Sequence, residues 1–393
     1  MSKDRKKLLI LMMGHGVAGV ERTATDLARE FKARGWAAQL VFAEPVDDEP
    51  TRLAVPGRTA TEERRVLLEW ARNQGVEAET SRTLHGAYAT LSWQDVLDLR
   101  RFIAARRPDI VNIQCGSNHV ALKDVIAVRL AGLSRLVVSI HHPDPWGEDV
   151  RRRINTGRAS RLCQAMIAPS RATRDLLLEA NVPARKIHII PSGVPVPTPE
   201  RLPERAEARA RLGLPPDAFV ISSIARLVPH KSIDRLIEAA ARVPDPRGEL
   251  AVVVAGDGPE RADLEDLAAA RLGPRAIFLG RVPDETIPDV YAASDLFCLP
   301  SKLEGFGLVY IEAAYRRVPS IGTCVGGIPD VIVDGETGLL VPVGDVAAIA
   351  AAITRLRDDP TLRAHLGEAA RARAYAEFTV ERMTDRYVKV LAP

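Results

Sequence analysis

Short apolar runs alternate with amphipathic stretches along nearly the whole chain, and that alternation leaves few folds open. Lys7–Met13 reads as a strand, Val20–Arg34 as a helix ended by Gly35, and Ala37–Ala43 as the next strand. Further strands are expected at Ile110–Gln114, Leu136–Ile140 and Ala165–Ala168. Residues 44–60 have no period and read as an exposed loop. Strands rich in Val, Ile and Leu are buried on both faces, and strands separated by helices pair in parallel.

The pattern stops once and restarts. Pro191, Pro195, Pro197, Pro199 and Pro203 fall within Pro191–Glu207, where neither helix nor sheet interior can be sustained. Strands then follow at Phe219–Ile224, Leu250–Ala255, Ile277–Leu279, Leu296–Leu299 and Ser320–Thr323. Helices are expected at Ser232–Val243, Glu260–Leu272, Leu308–Arg316, Val346–Arg357 and Leu362–Phe378, with Val380–Leu391 last. The fold class is therefore α/β: two Rossmann-like domains, 1–195 and 196–378, facing across a cleft where ligands of such sheets bind. At 393 residues each half can bury a core of its own.

Charge and composition narrow the partners. Residues 1–195 hold 30 Lys and Arg against 22 Asp and Glu, whereas residues 196–393 hold 24 against 29. The basic first half suits an anionic or lipid-linked acceptor, or a membrane surface. Aromatics at 5% offer few stacking platforms, which disfavours nucleic acid. Leu8–Met13 is only six residues and lacks a small-x-small cleavage site, so it reads as a strand rather than a secretory signal. Cys115, Cys163, Cys298 and Cys324 lie far apart, as expected of a chain in a reducing cytoplasm, either free there or peripheral at the inner membrane face.

Three constellations carry chemistry. Gly14-His15-Gly16-Val17-Ala18-Gly19 follows a strand and opens a helix, and Glu44 ends the second strand 25 residues later. Alone, that supports an NAD-dependent oxidoreductase; more generally, glycines and a helix N-terminus accept any diphosphate ligand. The second is Glu304-Gly305-Phe306-Gly307-Leu308-Val309-Tyr310-Ile311-Glu312. The helix start near Gly307 and Leu308 suits a phosphate, and the two carboxylates suit sugar hydroxyls on either side of it. Arg226 and Lys231 form the third, placed to neutralise a departing diphosphate. No Asp-x-Asp occurs, so no metal and no cofactor is expected, with the two cations in the place of Mg²⁺. His141 and His142 follow a strand and can meet a sugar hydroxyl.

Together these segments resemble the retaining glycosyltransferase family four, whose members have the GT-B fold. Besides the residues above, the resemblance rests on Ala255-Gly256-Asp257-Gly258-Pro259, on Gly326-Gly327-Ile328-Pro329-Asp330, and on Gly335 through Val341. It implies a retaining enzyme that moves a sugar from a UDP- or GDP-sugar to an acceptor hydroxyl in glycan, polysaccharide or glycoconjugate synthesis. By the resemblance, Glu304 holds the donor sugar and Glu312 the ribose. Arg226 and Lys231 bind the diphosphate, with Gly305, Phe306, Gly307 and Leu308 beside them. Gly16 and Gly19 approach from the other domain, the Val282 backbone meets the base, and His141 or His142 is the site histidine. A sugar-nucleotide epimerase on the same fold is the other enzymatic alternative. The last helix, about 379–393, is expected to pack back on the first domain. This sequence departs from the family at Ala18-Gly19, Ser192-Gly193 and Lys231-Ser232, where Gly-Gly, Asn-Gly and Lys-Gly are usual.

Overall fold

The computed structural model describes residues 5–12, 19–44, 59–84, 92–116, 120–142, 150–198, 203–246 and 248–392. They form two compact units, Met1–Gly193 with Val380–Pro393, and Val194–Thr379. The chain therefore changes unit within the proline-rich segment, and it changes back just before the last helix. The expected linker is shorter than its prolines suggest, because a helix already runs over Arg205–Arg211.

In the first unit the strands are β1 (Lys7–Met12), β2 (Ala37–Ala43), β3 (Glu77–Ser81), β4 (Ile110–Cys115), β5 (Arg135–Ile140), β6 (Ala165–Ala168) and β7 (Ile187–Ile189). They pair in parallel in the order β3-β2-β1-β4-β5-β6-β7. The two-residue period of β1 splits its side chains between two cores. Leu9 and Leu11 pack with Val111, Ile113 and Val138, while Leu8, Ile10 and Met12 pack with Leu27, Phe31 and Phe42. Helix Val380–Leu391 belongs to the second of these cores through Val380, Met383, Tyr387, Val390 and Leu391. The expected loop 44–60 lies outside the described residues over 45–58, and from Ala60 the chain is helical, started by a Thr59/Glu62 capping box.

The second unit holds β8 (Phe219–Ile224), β9 (Leu250–Ala255), β10 (Ala276–Gly280), β11 (Leu296–Cys298), β12 (Ser320–Thr323) and β13 (Gly338–Val341). The order is β10-β9-β8-β11-β12-β13, again parallel throughout. In each sheet the strand order reverses once, between β1 and β4 and between β8 and β11. The loops leaving the carboxyl ends of the two central strands diverge at such a point and open a ligand crevice. Among the described residues no helix is long and apolar enough to cross a membrane.

Candidate donor site

In the second unit the loop after β8 carries Arg226 and Lys231, and the loop after β11 carries Glu304. The reversal of strand order makes these two loops neighbours. Lys231 Nζ lies 2.6 Å from Glu304 Oε2, in a pair whose side chains retain only 15% and 13% of their exposure. Ser301 Oγ stands 3.5 Å from the same oxygen. The structure thus brings Lys231 and Glu304 into direct contact and places the half-buried Arg226 five residues upstream in the same loop. Lys231 ends a single 3₁₀ turn, Pro229–Lys231, and its backbone N–H donates to the Val228 carbonyl at 2.9 Å.

A third loop fixes the Glu304 backbone. The Gly327 N–H donates to the Glu304 carbonyl at 3.2 Å, and Thr323 Oγ1 donates to the Ser301 carbonyl at 2.6 Å. Gly326 has φ +56°, and a Cβ there would lie 1.9 Å from the Glu304 oxygen. Only glycine permits that approach, which explains the Gly-Gly pair after β12.

Helix Leu308–Tyr315 begins at Gly307, φ +97°, with no side chain capping it. Its first N–H groups and the positive end of its dipole make an anion seat. Tyr310 locks the first turn by donating to the Leu299 carbonyl at 2.6 Å. Burial, reinforced by the Glu304 charge, holds the Tyr310 hydroxyl well above its ordinary pKa. Glu312 is aimed from the same helix, and Tyr291 donates to its Oε2 at 2.9 Å. Gly305 is packed under Gly327, and the Phe306 ring belongs to the core, edge-on to Phe378 at 5.7 Å. What Phe306 offers a ligand is therefore its backbone. Val282 follows β10 and packs half-buried on the core that holds Val290 and Ala293.

In the first unit Gly19 is exposed at the start of helix Gly19–Ala33, where its carbonyl accepts from Thr23 Oγ1 at 2.8 Å. Gly16 and the rest of the Gly14–Ala18 motif lie outside the described residues. His141 immediately follows β5 with its ring buried against Gln114, and burial lowers its pKa to about 4, so the imidazole is neutral. His142 is half-buried beside it. Tyr291, Ser301 and Gln114 were not among the expected site residues. Their roles depend on partners 21, 3 and 27 residues away respectively, and only Ser301 was within reach of a local motif.

Comparison with known proteins agrees with this architecture. Residues 17–196 match the model of Glycosyltransferase Family 4, and residues 204–373 that of Glycosyl transferases group 1. Alpha-D-kanosaminyltransferase of Streptomyces kanamyceticus is 31% identical over 303 residues, covering 73% of this chain and 77% of that protein. A GDP-mannose-dependent alpha-(1-6)-phosphatidylinositol monomannoside mannosyltransferase of Mycolicibacterium smegmatis is 33% identical over 260 residues, covering 62% and 66%. The crystal structure of Anabaena HepE in complex with UDP superposes with a TM-score of 0.79 at 23% identity, over 98% of this chain and 99% of that one. That likeness shows the GT-B fold class. The dinucleotide-enzyme reading finds no support in these matches. Both oxygens of Glu44 are also engaged already, by Thr80 Oγ1 and Arg82 Nε at 2.9 Å each. With both halves matched by transferase models and relatives of the same kind, the chain belongs to glycosyltransferase family 4.

Proposed function

We propose that this glycosyltransferase takes its sugar from a nucleoside diphosphate and transfers it with retention, without a metal ion. The observation that carries the reading is the Lys231–Glu304 pair at the carboxyl ends of β8 and β11, with Arg226 in the same loop. A carboxylate that accepts from sugar hydroxyls stands beside the ammonium that meets the phosphate, and the uncapped helix at Leu308 adds a second anion seat. Breakage of the bond from the anomeric carbon to the diphosphate builds positive charge on the ring and negative charge on the leaving oxygens. Arg226 and Lys231 neutralise the latter, and fixed charges in place before the reaction lower its barrier most. The acceptor hydroxyl adds from the face the diphosphate leaves, and its proton passes to a leaving phosphate oxygen. Glu312, oriented by Tyr291, takes the ribose hydroxyls.

UDP and GDP are both supported as the nucleotide, by the UDP held by HepE and by the GDP-mannose used by the mycobacterial relative. For the acceptor side we propose an anionic or lipid-linked substrate met at a membrane surface. Helix Val150–Leu162 has Arg151, Arg152, Arg153, Arg158 and Arg161 and no acid, and it exposes Val150 and Ile154 among them. Such a face attracts anionic headgroups and inserts its aliphatic side chains between them.

A panel of UDP-, GDP- and ADP-sugars tests the donor directly. The matching donor at 100 times its Kd adds about 2.7 kcal/mol of stability. That gain is expected to persist in EDTA, with a product of unchanged anomeric configuration by NMR. A panel without a stabilising member, or an inverted product, contradicts the reading. Sedimentation with vesicles tests the surface: binding to phosphatidylglycerol but not phosphatidylcholine is expected, and is expected to be lost in R151E/R158E.

A further inference from the structure

Beneath helix Val380–Leu391, the first sheet carries a line of buried, uncharged polar side chains. Asn112 and Gln114 alternate on β4, Ser139 lies on β5 with His141 two residues on, and Tyr387 comes down from the helix. They are joined by hydrogen bonds, and the direction of each bond leading to His141 can be deduced. Asn112 Nδ2 donates to the Val137 carbonyl at 3.2 Å and to Ser139 Oγ at 3.0 Å. A backbone carbonyl only accepts, so the amide nitrogen of Asn112 faces β5 and its Oδ1 faces the other way. Gln114 Nε2 donates to that Oδ1. The amide nitrogen of Gln114 is thereby committed, and its Oε1 is the atom that meets His141 Nε2. An amide oxygen has no proton to give, so the proton between them belongs to the imidazole.

The far end of the line is also held. Tyr387 donates to Ser139 Oγ at 3.1 Å, and the Gln114 amide sits beside the same phenol. Gln114 thus cannot turn over without breaking contacts to Asn112 and crowding Tyr387. An unmade hydrogen bond in so buried a place costs about 1–3 kcal/mol, enough to hold one orientation.

We propose that Gln114 is a positioning residue that holds His141 as the Nε2–H tautomer, so that Nδ1 presents a lone pair and no proton to a substrate hydroxyl. A neutral histidine with its tautomer unfixed offers either a donor or an acceptor; this one is made an acceptor by the Val137 carbonyl, acting through two amides. The substrate group that meets it must then bring its own hydrogen. A hydroxyl qualifies, and an ether or fluorine at the same carbon does not. The inference rests on the reading that His141 belongs to the site.

Nitrogen NMR on ¹⁵N-histidine-labelled protein tests it, with the His141 signal identified by its loss in His141→Gln. At pH 7.5 the wild-type ring is expected to carry its proton on Nε2. In Gln114→Met, which removes the acceptor but keeps the length, the two tautomers are expected to mix and kcat/KM to fall about tenfold. Gln114→Glu restores an acceptor with a negative charge, which favours the imidazolium. The His141 pKa then rises, Nδ1 acquires a proton as pH falls through it, and kcat/KM acquires an acid limb near neutrality that the wild type lacks. A wild-type ring protonated on Nδ1, or an unchanged tautomer in Gln114→Met, overturns the proposal. Should Gln114→Met fail to fold, the wild-type spectrum and the Gln114→Glu pH profile decide. The tautomer is read without turnover, so the two claims separate: normal transfer by His141→Ala contradicts the placement of His141 in the site, whatever tautomer the wild-type spectrum shows.

Discussion

Single residues in the second unit show both what the sequence makes plain and what it hides. Lys231 and Glu304 were legible because each sits in a short local motif at a strand end, where chemistry and position coincide. Tyr291 was not, because nothing around it in the chain announces a bond to Glu312. Ser232, immediately after Lys231, is the sharpest local departure. It holds φ +55°, is fully buried, and its hydroxyl has no hydrogen-bond partner. A left-handed conformation costs a non-glycine residue about 1–2 kcal/mol, and an orphan buried hydroxyl adds about 1–3 kcal/mol. Ser232→Gly, the residue usual in the family, removes both terms at an entropic cost of about 0.5–1 kcal/mol. It is therefore expected to raise stability by about 1 kcal/mol or more, visible as a higher urea midpoint with an unchanged slope. A lower midpoint shows that the hydroxyl is satisfied in solution.

Among the elements, the long central strands were readable and the edges were not. β1, β2, β5, β8 and β9 are mostly apolar and almost wholly buried, and their expected limits agree with the observed ones to within a residue. β3 has the sequence EAETS and lies at the edge of its sheet, where one flank is open and apolar content is not required. β7 is three residues long at the other edge. Neither leaves a periodic trace. The last helix was legible as an amphipathic stretch, but its attachment to the first sheet came from the family resemblance, because a contact between Tyr387 and Ser139 spans 248 residues. That attachment has an energetic consequence. Tyr387→Ala empties a buried aromatic site and is expected to cost about 3–5 kcal/mol, whereas Tyr387→Phe loses one hydrogen bond and about 1 kcal/mol. Urea titration followed by circular dichroism measures both. Equal, small losses would mean that the helix does not contribute to this core.

For the whole molecule, the two sheets each reverse strand order once, which gives each unit its own crevice at strand carboxyl ends. The acidic half carries Arg226, the Lys231–Glu304 pair and Glu312, and the basic half carries His141, Gly19 and the arginine-rich helix. Charge arithmetic made the asymmetry legible, whereas no motif in the sequence names the donor's base or sugar. The claim beneath all of this is that Lys231 and Glu304 act on one ligand, the ammonium on its diphosphate and the carboxylate on its sugar. Steady-state transfer from the matching nucleotide sugar, measured at saturation in Lys231→Ala and Glu304→Ala, tests it most directly. A fall of about 10²–10³ in kcat is predicted for each variant, the scale seen when one preorganised charge-stabilising group is removed; rates within about twofold of wild type in both would contradict the account.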